Sequence, residues 1–235
     1  MSGSVYDTLE ARRETSAAWN AIARGAATPP VIRTLGLVAH RSTYDAMQSF
    51  TAARNDATPD ELWVLEHPPV YTVGQAGRVQ HLPRRDDLAI EHIDRGGQVT
   101  FHGPGQAVVY VLVDLPRRRL TVRKLVALLE QAVIDDLAAR GRAGERRAGA
   151  PGVYVASAKI AALGLRVRRG RSYHGLAYNV AMDLSPFAAI DPCGYPGLAV
   201  TDLATLGVSD TASAAGERIA NRLVRLFDAH EHEPG

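Results

Sequence analysis

The stretch "AVVYVLVDL", residues 107–115, is apolar on both of its alternating parities. Successive side chains of a strand point to opposite faces, so this segment has no face to leave in water. A fold that contains it must lay a layer of structure on each side. The rest of the chain offers material for those layers. Residues 121–139, "TVRKLVALLEQAVIDDLAA", place Val122, Leu125, Leu129, Val133 and Leu137 near one helical stripe, and Gly141 suits its end. A last helix is expected over 212–229, with Ile219, Leu223, Leu226 and Phe227 inward. Between these helices lie three strand candidates in succession: "GVYVAS", "KIAALGLRV" and "HGLAYNVAM". Upstream, "VIRTLGLV" reads as a strand. A helix capped by Ser42 carries Tyr44, Met47 and Phe50, and "LWVLEH" and "VYTVG" read as short strands around His67-Pro68-Pro69. Helices mixed with consecutive strands predict an α+β domain. Residues 1–30 are polar, Ala-rich and end in Pro29-Pro30. They read as a flexible N-terminal extension before one domain spanning 31–235.

Composition narrows the function classes. The chain has 235 residues, 27 Lys plus Arg against 25 Asp plus Glu, and one cysteine. A net charge of +2 gives no sign of a nucleic-acid binder. The basic residues cluster, at Arg117, Arg118, Arg119, Arg123 and Lys124, at Arg140–Arg147, and at Arg166–Arg171. Such clusters are either solvated surface or a docking face for an acidic partner. A single cysteine excludes an internal disulfide and cysteine-rich zinc sites. The histidines are scattered, with no pair at metal-ligand spacing on a helix, so no metal and no cofactor are expected. No apolar run approaches a membrane span and no signal-peptide core stands at the start. A soluble, cytoplasmic protein without membrane contact is the expectation.

Four places could carry chemistry. In "KIAALGLRV", Lys159 shares strand parity with Leu163, Leu165 and Val167, which want the core. It is either a strand-end lysine reaching for water or a lysine held in a cleft with a task. "DRGGQVTFHGPGQ", residues 94–106, interleaves glycines with Arg95, Thr100, His102 and Gln106. It has neither the phosphate-loop nor the dinucleotide spacing. It is either a tight turn between strands or a seat for a ligand lying over backbone. His174-Gly175 is a weaker feature of the same kind. Cys193, in "IDPCGYPG", sits on a turn rather than in a regular element. It is either a buried small residue or a nucleophile whose thiol a cation such as Lys159 would activate.

Taken together, "DRGGQVTFHGPGQ", "APGVYV", "KIAALGLRVRRGRSYHGLAYNVAMDLSPF" and "DPCGYPG" resemble the lipoyl(octanoyl) transferases, in that family's order and near its spacing, over about Val31 to Leu206. The resemblance implies a biotin/lipoate ligase-like domain, a mixed β-sheet flanked by helices. It implies an acyltransferase that moves an octanoyl group from acyl carrier protein to a lysine of lipoyl domains, those of 2-oxoacid dehydrogenases and the glycine cleavage H protein. By the same resemblance Cys193 is the acyl-thioester nucleophile and Lys159 the lysine that lowers its pKa. Arg95, Gly96, Gly97, Gln98, Val99, Thr100, Phe101 and His102 correspond to the acyl-pocket stretch. Ala162, Leu163 and Gly164, and then Gly175, Leu176 and Ala177, correspond to two further substrate-contacting segments. Ala162 stands where the family often has serine, which removes a hydroxyl contact, and the extension before Val31 is longer than the family's. A monomer that needs no ATP is expected. The alternatives are an ATP-dependent ligase on the same fold and a non-catalytic acyl-carrier docking module.

Overall fold

In the computed structural model, which describes residues 27–84, 87–191 and 197–232, the doubly apolar segment sits in the interior of the larger of two sheets. In chain order the strands are β1 (Val31–Leu37), β2 (Glu61–Glu66), β3 (Val70–Val73), β4 (Ile90–His92), β5 (Val99–His102), β6 (Gln106–Leu112), β7 (Val153–Val155), β8 (Ala158–Arg168) and β9 (Arg171–Asn179). The helices are α1 (His40–Ala53), α2 (Val122–Ala138) and α3 (Ala212–Glu231), with short 3-10 turns at Val79–His81 and Ser185–Ala189. The large sheet runs β1-β2-β6-β9-β8-β7 and the small one β4-β3-β5. Both are mixed: β1 pairs parallel with β2 and β3 with β4, while the other ladders are antiparallel.

All seven residues of β6 are buried, as its sequence requires. Val109 and Val111 join the core under α2 and α3, with Leu125, Leu129, Val133, Ile219, Leu223 and Phe227. Val108, Tyr110 and Leu112 face the other way, toward Tyr44 and Met47 of α1. A third cluster joins Tyr71 and Phe101 of the small sheet to Phe187 and Ile190. No helix among the described residues is long and apolar enough to cross a membrane.

Two local expectations need correction. The first helix starts at His40, with Ala39 rather than Ser42 at the cap. Ser42 and Thr43 instead donate from within the first turn to the carbonyl of Ala39. The glycine-rich stretch is not only a turn: Val99–His102 form β5 and pair with β3, while the glycines before and after them break the chain into turns.

Residues 1–26 of the expected extension lie outside the described residues. Its last part is tied to the folded body. The Ala27 N–H donates to Glu231, and the Thr28 carbonyl accepts from Arg118. Arg118 is also where the basic clusters depart from a plain surface reading. It is 1% exposed, 2.5 Å from Asp60 and 2.8 Å from Glu231. Arg54 pairs with the same Asp60 from the other side, also fully buried. Arg140 and Arg146 are likewise taken up, by Asp136 with Asp210 and by Glu130. Removing one partner of a buried ion pair leaves the other charged in a poor solvent. Arg118→Ala is expected to lower unfolding stability by about 3 kcal/mol, the low end for such a loss because Arg54 still neutralises Asp60. Urea denaturation of the two proteins measures this.

Candidate active site

On the α1 side of the large sheet, under the small sheet, lies a cleft of about 520 Å³ with its open mouth included. Its walls are the loop and strand from Arg95 to His102, His40 at the start of α1, Val108 and Tyr110 of β6, Ala162–Gly164 of β8, and His174–Ala177 of β9. Twelve of the fourteen positions that the resemblance assigned to substrate therefore converge on one cavity. Gly96 and Phe101 do not line it. The Gly96 N–H instead donates to the Leu165 carbonyl at 2.9 Å and pins the glycine-rich loop onto β8. The Phe101 ring packs against Tyr71 and Phe187 on the far side of β5. Leu163 and Leu176 pair across β8 and β9, and their side chains pack with the helix-side core, so they offer the cavity main chain. Gly164 lets the loop approach closely here. A Cβ would stand 3.0 Å from Arg95 Cδ and 3.1 Å from the Gly96 carbonyl, closer than such contacts ordinarily come.

A smaller cavity adjoins the first and shares Thr100 and Ala162 with it. Lys159 lines it, with Gln106, Asn179, Phe187 and Val200. Lys159 is 3% exposed, and its Nζ donates to the Pro151 carbonyl at 3.0 Å. Burial in a cleft is thus observed, but the parity argument for its direction fails. Tyr154 pairs with Lys159, whereas Val153 pairs with Ala161. Two steps on β8 meet one on β7, a bulge that inserts Ile160 and reverses the alternation. Leu163, Leu165 and Val167 pack against the helix-side core, whereas Lys159 faces the cavity side with Tyr154. Gly152 makes room for it. Its φ is +138°, and a Cβ there would lie 2.6 Å from Lys159 Cε.

Cys193, expected to meet Lys159, lies outside the described residues, as do its neighbours from 192 to 196. The described chain on both sides approaches the lysine. Lys159 N–H donates to Ala199, and its carbonyl accepts from Thr201. Phe187 borders the same cavity from upstream.

A hydrogen-bonded chain crosses from the large cavity to the small one. Arg95 donates to the Thr72 hydroxyl and carbonyl, and Thr72 Oγ1 lies 3.3 Å from His102 Nε2. His102 Nδ1 is 2.7 Å from Gln106 Oε1, Gln106 donates to Asn179, and Asn179 donates to the Thr201 carbonyl. An acceptor at Nδ1 makes His102 the Nδ1–H tautomer, with Nε2 free to accept from Thr72. His67 is set in the same way, between the Val38 carbonyl and the Tyr110 hydroxyl, each at 2.7 Å. Burial pushes His67 down to about 4, and lowers His40, His102 and His174 as well. These imidazoles are therefore neutral at pH 7. Asp94 opposes them: burial would raise its carboxyl, but hydrogen bonds from His174, Tyr173 and Tyr44 hold it well below the usual range.

Residues 43–223 match the lipoyl protein ligase A/B catalytic domain. The chain belongs to this family. The octanoyltransferase of Dechloromonas aromatica is 56% identical over 200 residues, which cover 85% of this chain and 98% of the relative. Two solved structures share the fold. The bipartite lipoate protein ligase of Thermoplasma acidophilum superposes with a TM-score of 0.65 at 14% identity, over 87% of this chain and 84% of that one. The biotin protein ligase of Aquifex aeolicus does so with a TM-score of 0.54 at 10% identity, over 88% and 73%. The expected biotin/lipoate ligase-like α+β architecture is the one found.

Within this lipoyl protein ligase A/B domain, several site residues had no sequence signal. His102 is among the expected residues, but His40 and His67 carry no such signal, and the fold gathers all three. The His40 ring lies 5.0 Å from His67 and 6.1 Å from His102. Among the described residues no group of three His, Cys, Asp or Glu side chains is arranged to hold a metal ion. His174 was legible only as an irregularity beside a glycine. Its φ of +61° inside β9 turns the ring to the cavity side, beside Tyr173. The neutral histidines have a consequence for stability. Unfolded imidazoles titrate near pH 6.5, whereas His67 folded titrates near 4. Between these values the unfolded chain binds more protons, so stability falls as pH is lowered through this window. Urea midpoints measured from pH 7.5 to 4.5 should decrease steadily below about pH 6.5. A flat profile would show that the imidazoles are solvated.

Proposed function

We infer that the chain is an octanoyltransferase, an acyltransferase that carries the acyl group as a thioester on Cys193. The observation that carries this reading is the adjacency of the two cavities. The cleft walled by the acyl-pocket segments shares Thr100 and Ala162 with a smaller chamber that the buried Lys159 lines. That chamber is edged by Phe187 and Val200, which lie on either side of Cys193 in the chain. The octanoyltransferase relative, matched over nearly its whole length, supports the same reaction.

The reaction balances with the chain's own groups. The Cys193 thiolate attacks the carbonyl of an octanoyl thioester on acyl carrier protein, the carrier's sulfur leaves, and it takes a proton. One thioester replaces another, so the enzyme's task is to lower the barrier. The neutral amine of an acceptor lysine then attacks the acyl-enzyme and the thiolate is released. An amide is more stable than a thioester, so this step needs no ATP. The acceptors are the lipoyl domains of 2-oxoacid dehydrogenases and the glycine cleavage H protein. Lys159 has two duties: as an ammonium it favours the thiolate, and as an amine it accepts the proton of the incoming nucleophile.

Mixing the protein with octanoyl-carrier protein and weighing it by mass spectrometry tests the covalent step. An octanoyl adduct is expected on the native chain and absent from Cys193→Ala. Full turnover by Cys193→Ala would overturn the mechanism, and stabilisation by ATP would favour a ligase instead. In the same protein Lys159→Ala should shift iodoacetamide alkylation of Cys193 to higher pH and slow both half-reactions. An unchanged alkylation profile would remove the thiol-activating duty.

A further inference from the structure

We propose that His174, backed by His40 and Tyr110, is the chain-length gauge of the acyl cavity, closing its far end at a depth that fits eight carbons. The proposal rests on the acyl-transfer reading above and deepens it.

The cavity has a rim, a reacting end and a floor. Gly97 is exposed and Gln98, Ala162, Leu163 and Gly164 are half-buried, which makes them the rim. His40, Val108, Tyr110 and His174 are each at most 4% exposed and form the floor. The reacting end is at Lys159, whose chamber includes Gln106 and Asn179, a cross-strand pair of β6 and β9. Gly175, paired with Tyr110, marks the far end. From Asn179 to Gly175 is four steps along β9, roughly 13 Å at the usual strand rise. An extended eight-carbon acyl chain measures about 9 Å from carbonyl carbon to methyl. With its sulfur at the lysine end, its methyl group arrives at Gly175, and the next side chain is His174.

That side chain is there by an exception to strand geometry. Alternation would send His174 to the helix side, with Leu176 and Tyr178. Its left-handed φ of +61° sends it instead to the floor. The ring is held there by a 3.0 Å contact from Nε2 to Asp94, by Tyr173 at 5.0 Å, and by Tyr44 at 5.6 Å between ring centroids. A strained conformation so heavily determined by its surroundings points to a task. A longer acyl chain would have to push methylenes between these rings. It would break the His174–Asp94 hydrogen bond and the buried His67–Tyr110 one. A shorter chain would leave the floor uncovered and forgo its contacts.

The test is transfer from hexanoyl-, octanoyl-, decanoyl- and dodecanoyl-carrier protein to a lipoyl domain. It compares the native enzyme with His174→Gly and His174→Asn. Glycine adopts this backbone conformation freely, so His174→Gly removes the ring without straining the strand. Thermal melting checks its fold. The native enzyme is expected to favour octanoyl. In His174→Gly the decanoyl-to-octanoyl ratio of kcat/KM should rise by about tenfold or more, with His174→Asn between. A purely structural role would lower both substrates alike and leave the ratio unmoved. A folded His174→Gly with the native ratio overturns the gauge. Should that variant fail to fold, His174→Asn, which tolerates the left-handed backbone and shortens the side chain, must raise the decanoyl-to-octanoyl ratio on its own. An unmoved ratio there also overturns it. Failure of the native enzyme to transfer octanoyl from the carrier would sink the acyl-transfer reading itself, a result distinct from either.

Discussion

The double burial of β6 is the constraint on which the rest of the structure depends. A strand with Val109 and Val111 on one side and Val108 and Tyr110 on the other has to be covered twice. The two covers differ in kind. Helices α2 and α3 close one face with aliphatic packing and leave nothing for a ligand. The opposite face is covered only in part by α1, and the small sheet arches over the remainder. The cavity is the space between that arch and the sheet. The cavity-facing residues are therefore drawn largely from strands that also build the core, and a rigid scaffold sets their positions.

Two small features convert this scaffold into a site, and both break strand alternation. The bulge at Ile160 turns Lys159 from the helix side to the cavity side. The left-handed backbone of His174 does the same on the neighbouring strand. Without them, β8 and β9 would present only Ala162, Gly164, Gly175 and Ala177 to the cavity, small residues with no chemistry. With them, a lysine stands at one end and an imidazole at the other. The small residues between leave room for a chain.

This division also explains what could be read from the residues alone. The helices and most strands follow from period, because periodic burial is how an element meets a core. The strands Ile90–His92 and Val99–His102 escaped it. Each is three or four residues long, and the second is bracketed by glycines. The cavity segments were legible through a resemblance of long motifs in register. The direction of Lys159 was not, since an inserted residue leaves no mark in composition and reverses every parity argument beyond it. Nor were His40, which lines the cavity from α1, and His67, which stands behind it at the end of β2. Nothing in their local sequence distinguishes them from surface histidines. Only the β2–β6 ladder, which sets Tyr110 where His67 Nε2 can accept from its hydroxyl, brings them in.

The polar character of the cavity floor needs an account, since an acyl chain asks only for apolar contact. Buried imidazoles are costly unless each nitrogen has a partner. Here the pairing is close to complete: His67 spans Val38 and Tyr110, His102 spans Gln106 and Thr72, and His174 meets Asp94. Satisfied in this way, the rings behave toward a ligand as flat, neutral surfaces that cannot be moved singly, because shifting one strands its partner. An aliphatic floor of leucines would be as dry but would yield by changing rotamers, and its depth would be soft. A hydrogen-bonded floor has one geometry. The same pairing reaches through Gln106 and Asn179 to Thr201, which pairs with the main chain of Lys159. The depth of the cavity and the position of the lysine are thus set by one network rather than two. Under the acyl-transfer reading proposed above, discrimination by length and placement of the reacting carbonyl would rest on the same hydrogen bonds.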